Sequence, residues 1–421
     1  MAVGRAICAV AICRRQIGLL WNLRKQKLND CAGLDLILTG DNQGSDATER
    51  RETPSTDPGG TFKLGEMKHN KSVRFLRRCI LQFVLFTGAA LVLGQDGASE
   101  KSSKPEMPEG KRTFGLVIHG GAGTIDRAKM RPEREKEYRD ALERSLRAGF
   151  EILERGGSSL DTTEAAVRVL EDDPHFNAGK GAVFTSAGVN ELDAAIMDGR
   201  TLKAGAVASV KRIKNPVSLA RLVMEKSPHV MLDCVGAEAF ANEQGIELVD
   251  PKYFFTQARW DELKRTQEAA KPGGGGKHFS ISDQNRHGTV GAVALDQAGN
   301  LAAATSTGGT TNKRPGRIGD TPVIGAGTYA NNATCAVSGT GDGEYFIRAA
   351  VGHDVSALME YRSMPLQTAT ETVLKKVENL GGTGGLIAID RTGEMASSFN
   401  TSGMYRGRVG PDGKFIIEIY R

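Results

Sequence analysis

Cysteine is scarce where it would matter. Of six cysteines in 421 residues, Cys8, Cys13, Cys31 and Cys79 fall in the front section, leaving only Cys234 and Cys335 in the body. Those two lack CxxC spacing and histidine neighbours, so neither a disulfide framework nor a zinc site is expected, and each reads as a small buried apolar residue. Aromatic residues are sparse, at 6%, and no basic patch interleaves with them, so a nucleic-acid surface has no support. The charges of the body are mixed in sign and read as solvated helix faces. The apolar run Cys79–Gly94 has 16 residues, short of the ~20 that span a bilayer. The 52 glycines follow no period and gather in HGGAG, STGG, SGTGDG and GGTGG, which points to tight turns at a site.

The net charge of +5 comes from basic residues loaded into the first 112 positions. Residues 1–66 read as a disordered or spurious extension, their latter half polar and aperiodic. Met67 is followed by KHNKSVRFLRR, the short apolar run and a small-residue exit, the layout of a secretory signal peptide at 67–94. Translation from Met67 with cleavage near Gly94 implies export to the periplasm or exterior. A signal anchor at 79–94, tethering the protein to a membrane, or a cytoplasmic location is the alternative. Residues 95–112 read as a linker.

The body, 113–421, predicts an α+β domain. FGLVIHGGAG reads as a strand closing in a glycine turn, and PEREKEYRDALERSLRAGFEILE as a helix stopped by Gly156-Gly157. A second helix follows, with Asp161 expected as N-cap, and Pro216 opens a third. DGEYFIRAAVGHDVSALMEY and LQTATETVLKKVENLGG predict two more. Strands are expected late. GTVGAVALD–QAGN–LAAATSTGG and GGLIAID–RTGE–MASSFNTSG are hairpins that align without gaps, Asp296 on Asp390 and Gly299 on Gly393, and KFIIEIY is a final strand. Small apolar residues at nearly every strand position imply sheets covered on both faces. Helices around buried sheets give a four-layer αββα sandwich, which composition alone does not separate from other α+β layouts.

Folding the first hairpin so that Leu295 faces Leu301 sets Thr289 opposite Thr307, with Cα atoms about 4.5–5.5 Å apart. An ordinary threonine pair on a sheet would look the same. Upstream, residues 271–288 (KPGGGGKHFSISDQNRHG) are polar and glycine-rich, a flexible linker suited to cleavage. A cut at Gly288–Thr289 would give Thr289 a free α-amine of pKa about 7.7–8.0, able to take the proton of its own hydroxyl. Gly288 permits the strained turn such a cut needs. SGTGDG reads as a loop at a helix N-terminus that aims backbone N–H groups at an anion, or simply as a glycine turn. Arg317 and Asp320 could grip the carboxylate and ammonium of one amino acid, or form a surface ion pair. LEDDPHFNAGK is acidic but lacks EF-hand spacing.

HGGAG (119–123), FNAGKGAVFT (176–185), ELDAAIMDG (191–199), HGTVGAVALD (287–296), ATSTGG (304–309), PGRIGD (315–320) and SGTGDGE (338–344) stand in this order. Together they resemble the plant-type L-asparaginase and isoaspartyl peptidase family, the threonine branch of the N-terminal-nucleophile hydrolases. The resemblance implies self-cleavage between Gly288 and Thr289 into an α subunit (113–288) and a β subunit (289–421). It makes Thr289 the nucleophile, Thr307 its orienting partner, Thr340 and Gly341 the oxyanion donors, and Asn177 a neighbour of the nucleophile. Arg317, Asp320, Gly341 and Gly343 become the substrate grip. Backbone carbonyls of Leu170, Glu171, Asp173, Phe176, Ala178 and Lys180 would wrap a structural sodium ion, and no organic cofactor is implied. His119 is expected to be a turn residue beside the site, and His287 to aid processing at most. The implied substrates are L-asparagine and β-aspartyl dipeptides, and the implied assembly a homodimer of cleaved protomers. A glycosylasparaginase, whose branch carries Asp where this chain has Gly288, and a non-enzymatic binding protein are the competing readings.

Overall fold

The computed structural model describes residues 113–271 and 288–421. The extension, the signal or anchor segment, the 95–112 linker, His287 and most of the glycine-rich linker lie outside the described residues.

Eight strands form one sheet, numbered here along the chain. Their order is β12 (Ile416–Tyr420), β11 (Gly403–Val409), β1 (Gly115–Gly123), β5 (Val290–Leu295), β6 (Leu301–Thr307), β2 (Leu192–Asp198), β3 (Ala204–Val210) and β4 (Met231–Asp233). A second sheet runs β10 (Met395–Phe399), β9 (Gly384–Asp390), β8 (Cys335–Gly341) and β7 (Thr328–Ala330). All pairs are antiparallel except β3–β4.

Each strand sends alternate side chains to opposite faces, and this separates three apolar layers. Leu116, Ile118, Val290 and Ala292 face helices α1 (Pro132–Glu154), α2 (Ser159–Glu171) and α3 (Pro216–Lys226). Val117, Val293, Leu301 and Met404 turn the other way and meet Ala336, Ile387 and Ile389 of the second sheet. The far face of that sheet, with Val337, Leu386 and Ala388, packs on α6 (Gly343–Ala349), α7 (Val351–Arg362) and α8 (Leu366–Asn379). The result is the αββα sandwich expected. Two further helices, α4 (Cys234–Glu243) and α5 (Gln257–Ala269), flank the first half.

The two aligned hairpins share their turn chemistry but belong to different sheets. Asp296 Oδ1 accepts from the N–H groups of Ala298 and Asn300, and Asp390 Oδ1 from those of Thr392 and Glu394. Gly299 and Gly393 follow at φ +81° and +86°, the left-handed region glycine supplies cheaply.

Four local expectations are corrected. Strands are not confined to the later part: eight of the twelve among the described residues follow Thr289, but β2 and β3 lie earlier, where LDAAIMD and AGAVASV lack the β-branched runs that mark strands. Ser158, not Asp161, caps α2. Its hydroxyl accepts the Asp161 N–H and donates to the Asp161 carboxylate, a capping box one turn earlier. The helix after SGTGDG breaks at Ala350, at φ +51°, because Gly352 and His353 give their N–H groups to the carbonyls of Ala326 and Gly325. Cys335 is buried, whereas Cys234 is only partly so.

Candidate active site

Thr289 stands at the head of β5. The β5–β6 register pairs Leu295 with Leu301 and Val290 with Ser306, so Thr289 falls opposite Thr307, and its hydroxyl donates to Thr307 Oγ1 at 3.1 Å. The same oxygen accepts the Gly309 N–H at 3.0 Å. Beyond β6, Asp193 of β2 pairs with Thr307. Directly paired residues share a face. Thr289, Thr307 and Asp193 therefore form a row on the inter-sheet face, the face that Val293 and Leu301 mark.

The peptide before Thr289 is tightly boxed. A side chain on Gly288 would strike Thr340 Oγ1 of β8. One on Gly121 would lie 2.7 Å from the Gly288 carbonyl oxygen and 2.8 Å from its nitrogen and Cα. Gly121 holds φ +110° just past a register irregularity in β1, so its bare Cα lets β1 press against the backbone of residue 288. Thr340 Oγ1 is buried and has no hydrogen-bond partner among the described residues. A hydroxyl donor beside the peptide bond that precedes Thr289 is thus left uncommitted. SGTG itself is strand, not a loop at a helix N-terminus. Gly341 crosses so near Gly384 that a Cβ would sit 2.5 Å from its Cα, and glycine on both strands lets the ladder run to its end. Asp342 and the seven-residue α6 come only afterwards.

His119 is not a turn residue. It lies within β1, wholly buried, because the strand continues through the glycines that were expected to end it. Its Nε2 is 2.9 Å from Ser338 Oγ, which is 2.8 Å from Thr305 Oγ1, and Thr328 Oγ1 donates to Thr305 at 2.7 Å. Burial pushes the imidazole down to about 3, against a raising contribution from the Thr289 backbone, so the ring is neutral at physiological pH.

Arg317 and Asp320 come together at the neighbouring end of β8. The position a Gly343 Cβ would take is 2.8 Å from Asp320 Oδ1 and 3.0 Å from Arg317 Nη2. The missing side chain leaves a slot between an anion and a cation, the shape a zwitterion requires. Burial raises the Asp320 carboxyl to about 6, against the pull of Arg317, and its Oδ2 has no partner among the described residues. Arg317 also carries an ion pair to Glu344. Lys313 is buried nearby and donates to the Glu191 carbonyl at 2.9 Å. Burial lowers its pKa and raises that of Asp193, while the attraction between the two opposes both shifts.

Asn177 does not spend its amide on Thr289. Its Oδ1 accepts from Val183 N–H and its Nδ2 donates to the Gly309 carbonyl at 2.7 Å, while Gly308 N–H reaches its main-chain oxygen. It braces the segment that follows Thr307. Its loop folds back so closely that a Cβ on Gly179 would strike the Glu171 carbonyl oxygen, and one on Gly181 those of Phe176 and Pro174. Of the six expected carbonyls, this close approach involves those of Glu171 and Phe176, and carbonyl oxygen is a ligand that hard cations take. Side-chain clusters able to hold a metal are absent among the described residues. The Glu171 carboxyl points elsewhere: it accepts the Val217 N–H at the start of α3, and burial raises it to about 8.

Sequence reading missed Asp193, Lys313, Ser338 and Glu344. All lie in or beside the quoted motifs, but only the register and the stacking of the sheets show what they meet.

The family model described as Asparaginase matches residues 112–417. The isoaspartyl peptidase of Escherichia coli (strain K12) is 53% identical over 292 residues, covering 69% of this chain and 91% of that protein. The isoaspartyl peptidase of Salmonella typhimurium is also 53% identical, with 69% and 93% covered. The isoaspartyl peptidase/L-asparaginase of Xenopus laevis is 42% identical over 308 residues, with 72% and 94% covered. Matched along almost its whole described body, and carrying the sandwich fold of the N-terminal-nucleophile hydrolases, this chain belongs to the asparaginase family.

Proposed function

We propose that the protein is a self-cleaving amidohydrolase of L-asparagine and β-aspartyl dipeptides. The observation that carries this reading is the hydroxyl pair Thr289–Thr307 at 3.1 Å, directly after a glycine boxed in by Gly121 and Thr340.

In the uncut chain the Thr289 nitrogen is still a peptide nitrogen. Thr289 Oγ1, its proton directed at Thr307, attacks the Gly288 carbonyl carbon. The C–N bond breaks, an ester forms and the nitrogen becomes an amine; water then hydrolyses the ester and frees Gly288 as a carboxylate. The released α-amine is partly unprotonated near neutral pH and accepts the hydroxyl proton when Thr289 Oγ1 attacks the substrate's side-chain amide carbon. The Thr340 hydroxyl and the Gly341 N–H hold the developing oxyanion. The α-amine passes its proton to the leaving nitrogen, which departs as ammonia or as the amine of a peptide. Water releases aspartate from the acyl-enzyme. Asp320 takes the substrate ammonium and Arg317 its α-carboxylate.

A sodium ion held by the carbonyls of Leu170, Glu171, Asp173, Phe176, Ala178 and Lys180 would order the loop that carries Asn177, without entering the chemistry. Arg259 of α5 supports that loop by donating to the Gly181 carbonyl at 2.8 Å. Two cleaved protomers form the working dimer, and residues 67–94 direct export.

Denaturing gels with N-terminal sequencing test the core of this reading. The wild type should yield two fragments, the smaller beginning at Thr289, and release ammonia from asparagine. Thr289→Ala should remain one band and be inactive. An intact wild-type chain after long incubation, or undiminished turnover by Thr289→Ala, refutes the scheme. Release of N-acetylglucosamine from a glycoasparagine in place of ammonia from asparagine would assign the glycosylasparaginase activity.

A further inference from the structure

A guanidinium offers two edges to carboxylates: a lateral one, Nε with one Nη, and a terminal one, Nη1 with Nη2. In Arg317 the lateral edge is taken. A single oxygen, Glu344 Oε1, accepts from Nε at 3.0 Å and from Nη2 at 2.8 Å. The terminal edge looks onto two glycines. A Cβ on Gly319 would lie 2.8 Å from Nη1 and 3.5 Å from Nη2, and one on Gly343 would lie 3.0 Å from Nη2. Neither glycine adopts a positive φ, so backbone conformation does not require glycine at either position. What both positions share is nearness to the terminal edge.

We propose that Glu344 and Gly319 are positioning residues that aim the terminal edge of Arg317 at the substrate's α-carboxylate. Glu344 fixes the guanidinium plane from its lateral side; Gly319 keeps the adjoining terminal edge open. The assignment rests on the amidohydrolase reading above and deepens it, since it says how the carboxylate is received. Two opposing effects decide its sign. Removing Glu344 takes away a negative charge and so favours an incoming carboxylate, but the Glu344 side chain is 46% exposed, and solvent weakens that repulsion to a few-fold at most. Losing the clamp frees a long side chain that is only 17% exposed and must be re-ordered at every binding event, a cost of about tenfold or more in affinity. The clamp outweighs the repulsion.

The test compares wild type, Glu344→Ala, Glu344→Asp and Gly319→Ala in self-cleavage and in steady-state hydrolysis of asparagine and a β-aspartyl dipeptide. All four should cut themselves at similar rates, which shows that they fold. Glu344→Ala and Gly319→Ala should raise KM by about tenfold or more with kcat changed less than about threefold, and Glu344→Asp should recover part of the loss. A KM that is unchanged or lower in Glu344→Ala overturns the proposal, the lower value marking Glu344 as a competitor for Arg317. A wild type that hydrolyses neither substrate overturns the amidohydrolase reading, and this inference with it; variants matching an active wild type overturn this inference alone.

Discussion

Asp320→Asn separates two consequences of one buried carboxylate. Burial lifts the Asp320 carboxyl from its ordinary 3.8 to about 6, equivalent to roughly 3 kcal/mol. The folded pKa lies above the unfolded one, so the folded state binds the proton more tightly. The resulting stabilisation is complete below pH 3.8 and is lost as pH rises through about 6. At pH 7.5 the ionised group therefore costs stability, and a neutral amide of the same shape should raise the melting temperature by several degrees. Substrate binding responds in the opposite sense. The amide forfeits the charge in a hydrogen bond to the ammonium, worth about 1.5–3 kcal/mol, so KM should rise about ten- to a hundredfold. In the wild type KM should be flat above pH 7 and climb about tenfold per unit below pH 6 as Asp320 takes up its proton; in Asp320→Asn that climb should be absent. Ammonia release from asparagine between pH 4.5 and 8, with thermal melts in the same buffers, measures both. A wild-type KM that stays level down to pH 5, or a variant that matches the wild type in both KM and melting temperature, refutes the reasoning.

Thr340→Val keeps the shape of a buried side chain whose hydroxyl has no partner among the described residues. It should melt at or above the wild-type temperature while kcat falls by about 10²–10³, the usual loss for one oxyanion donor; activity within twofold of wild type would remove Thr340 from that role. Gly121→Ala places a Cβ 2.7–2.8 Å from three backbone atoms of Gly288 and forces an L side chain to φ +110°. Self-cleavage, followed by gel, should slow at least tenfold, and uncut material should accumulate.

What the sequence disclosed depended on whether the deciding interaction was local. The hairpin register follows from the Asp296 turn, whose hydrogen bonds span four residues, and from it the Thr289–Thr307 pairing could be counted out. The turn around Asp390 repeats the same chemistry, so the second hairpin was equally readable. Nothing in either sequence says that the hairpins enter different sheets, because that choice is made by Val293 and Leu295 meeting Ile387 and Ile389 across the layers. Ala350 looks like mid-helix until the loop at 325–326 is present to accept two N–H groups. β2 and β3 give no alternating signal, because every position in both strands is buried and no polar face marks the period. Within the site, the residue types were readable from motifs. The edge of Arg317 that Glu344 occupies was not, since 27 positions separate the partners.

The buried polar chain between the sheets explains why a threonine can sit in so dry a place and still be held to one geometry. Thr328, Thr305, Ser338 and His119 follow one another at 2.7, 2.8 and 2.9 Å. One end borders the loop that carries Asp320, where Thr328 Oγ1 is also 3.1 Å from the Thr321 carbonyl. The other end reaches the imidazole beside the Thr289 backbone. A charged ring would break this chain, because protonated Nε2 could only donate to Ser338 and not accept from it; a ring held neutral by burial keeps one donor pattern through the whole working pH range. Gly291 lies where a side chain would press on Ser338 and come within 2.5 Å of His119 Nε2, so the packing admits the chain only with glycine there. The loop of Asp320 and the backbone of Thr289, the proposed grip and the proposed nucleophile, therefore border the two ends of one buried hydrogen-bonded chain. In the proposed scheme Thr289 begins as an ordinary peptide unit, and fixed spacing would supply the few ångströms of alignment that its reaction needs.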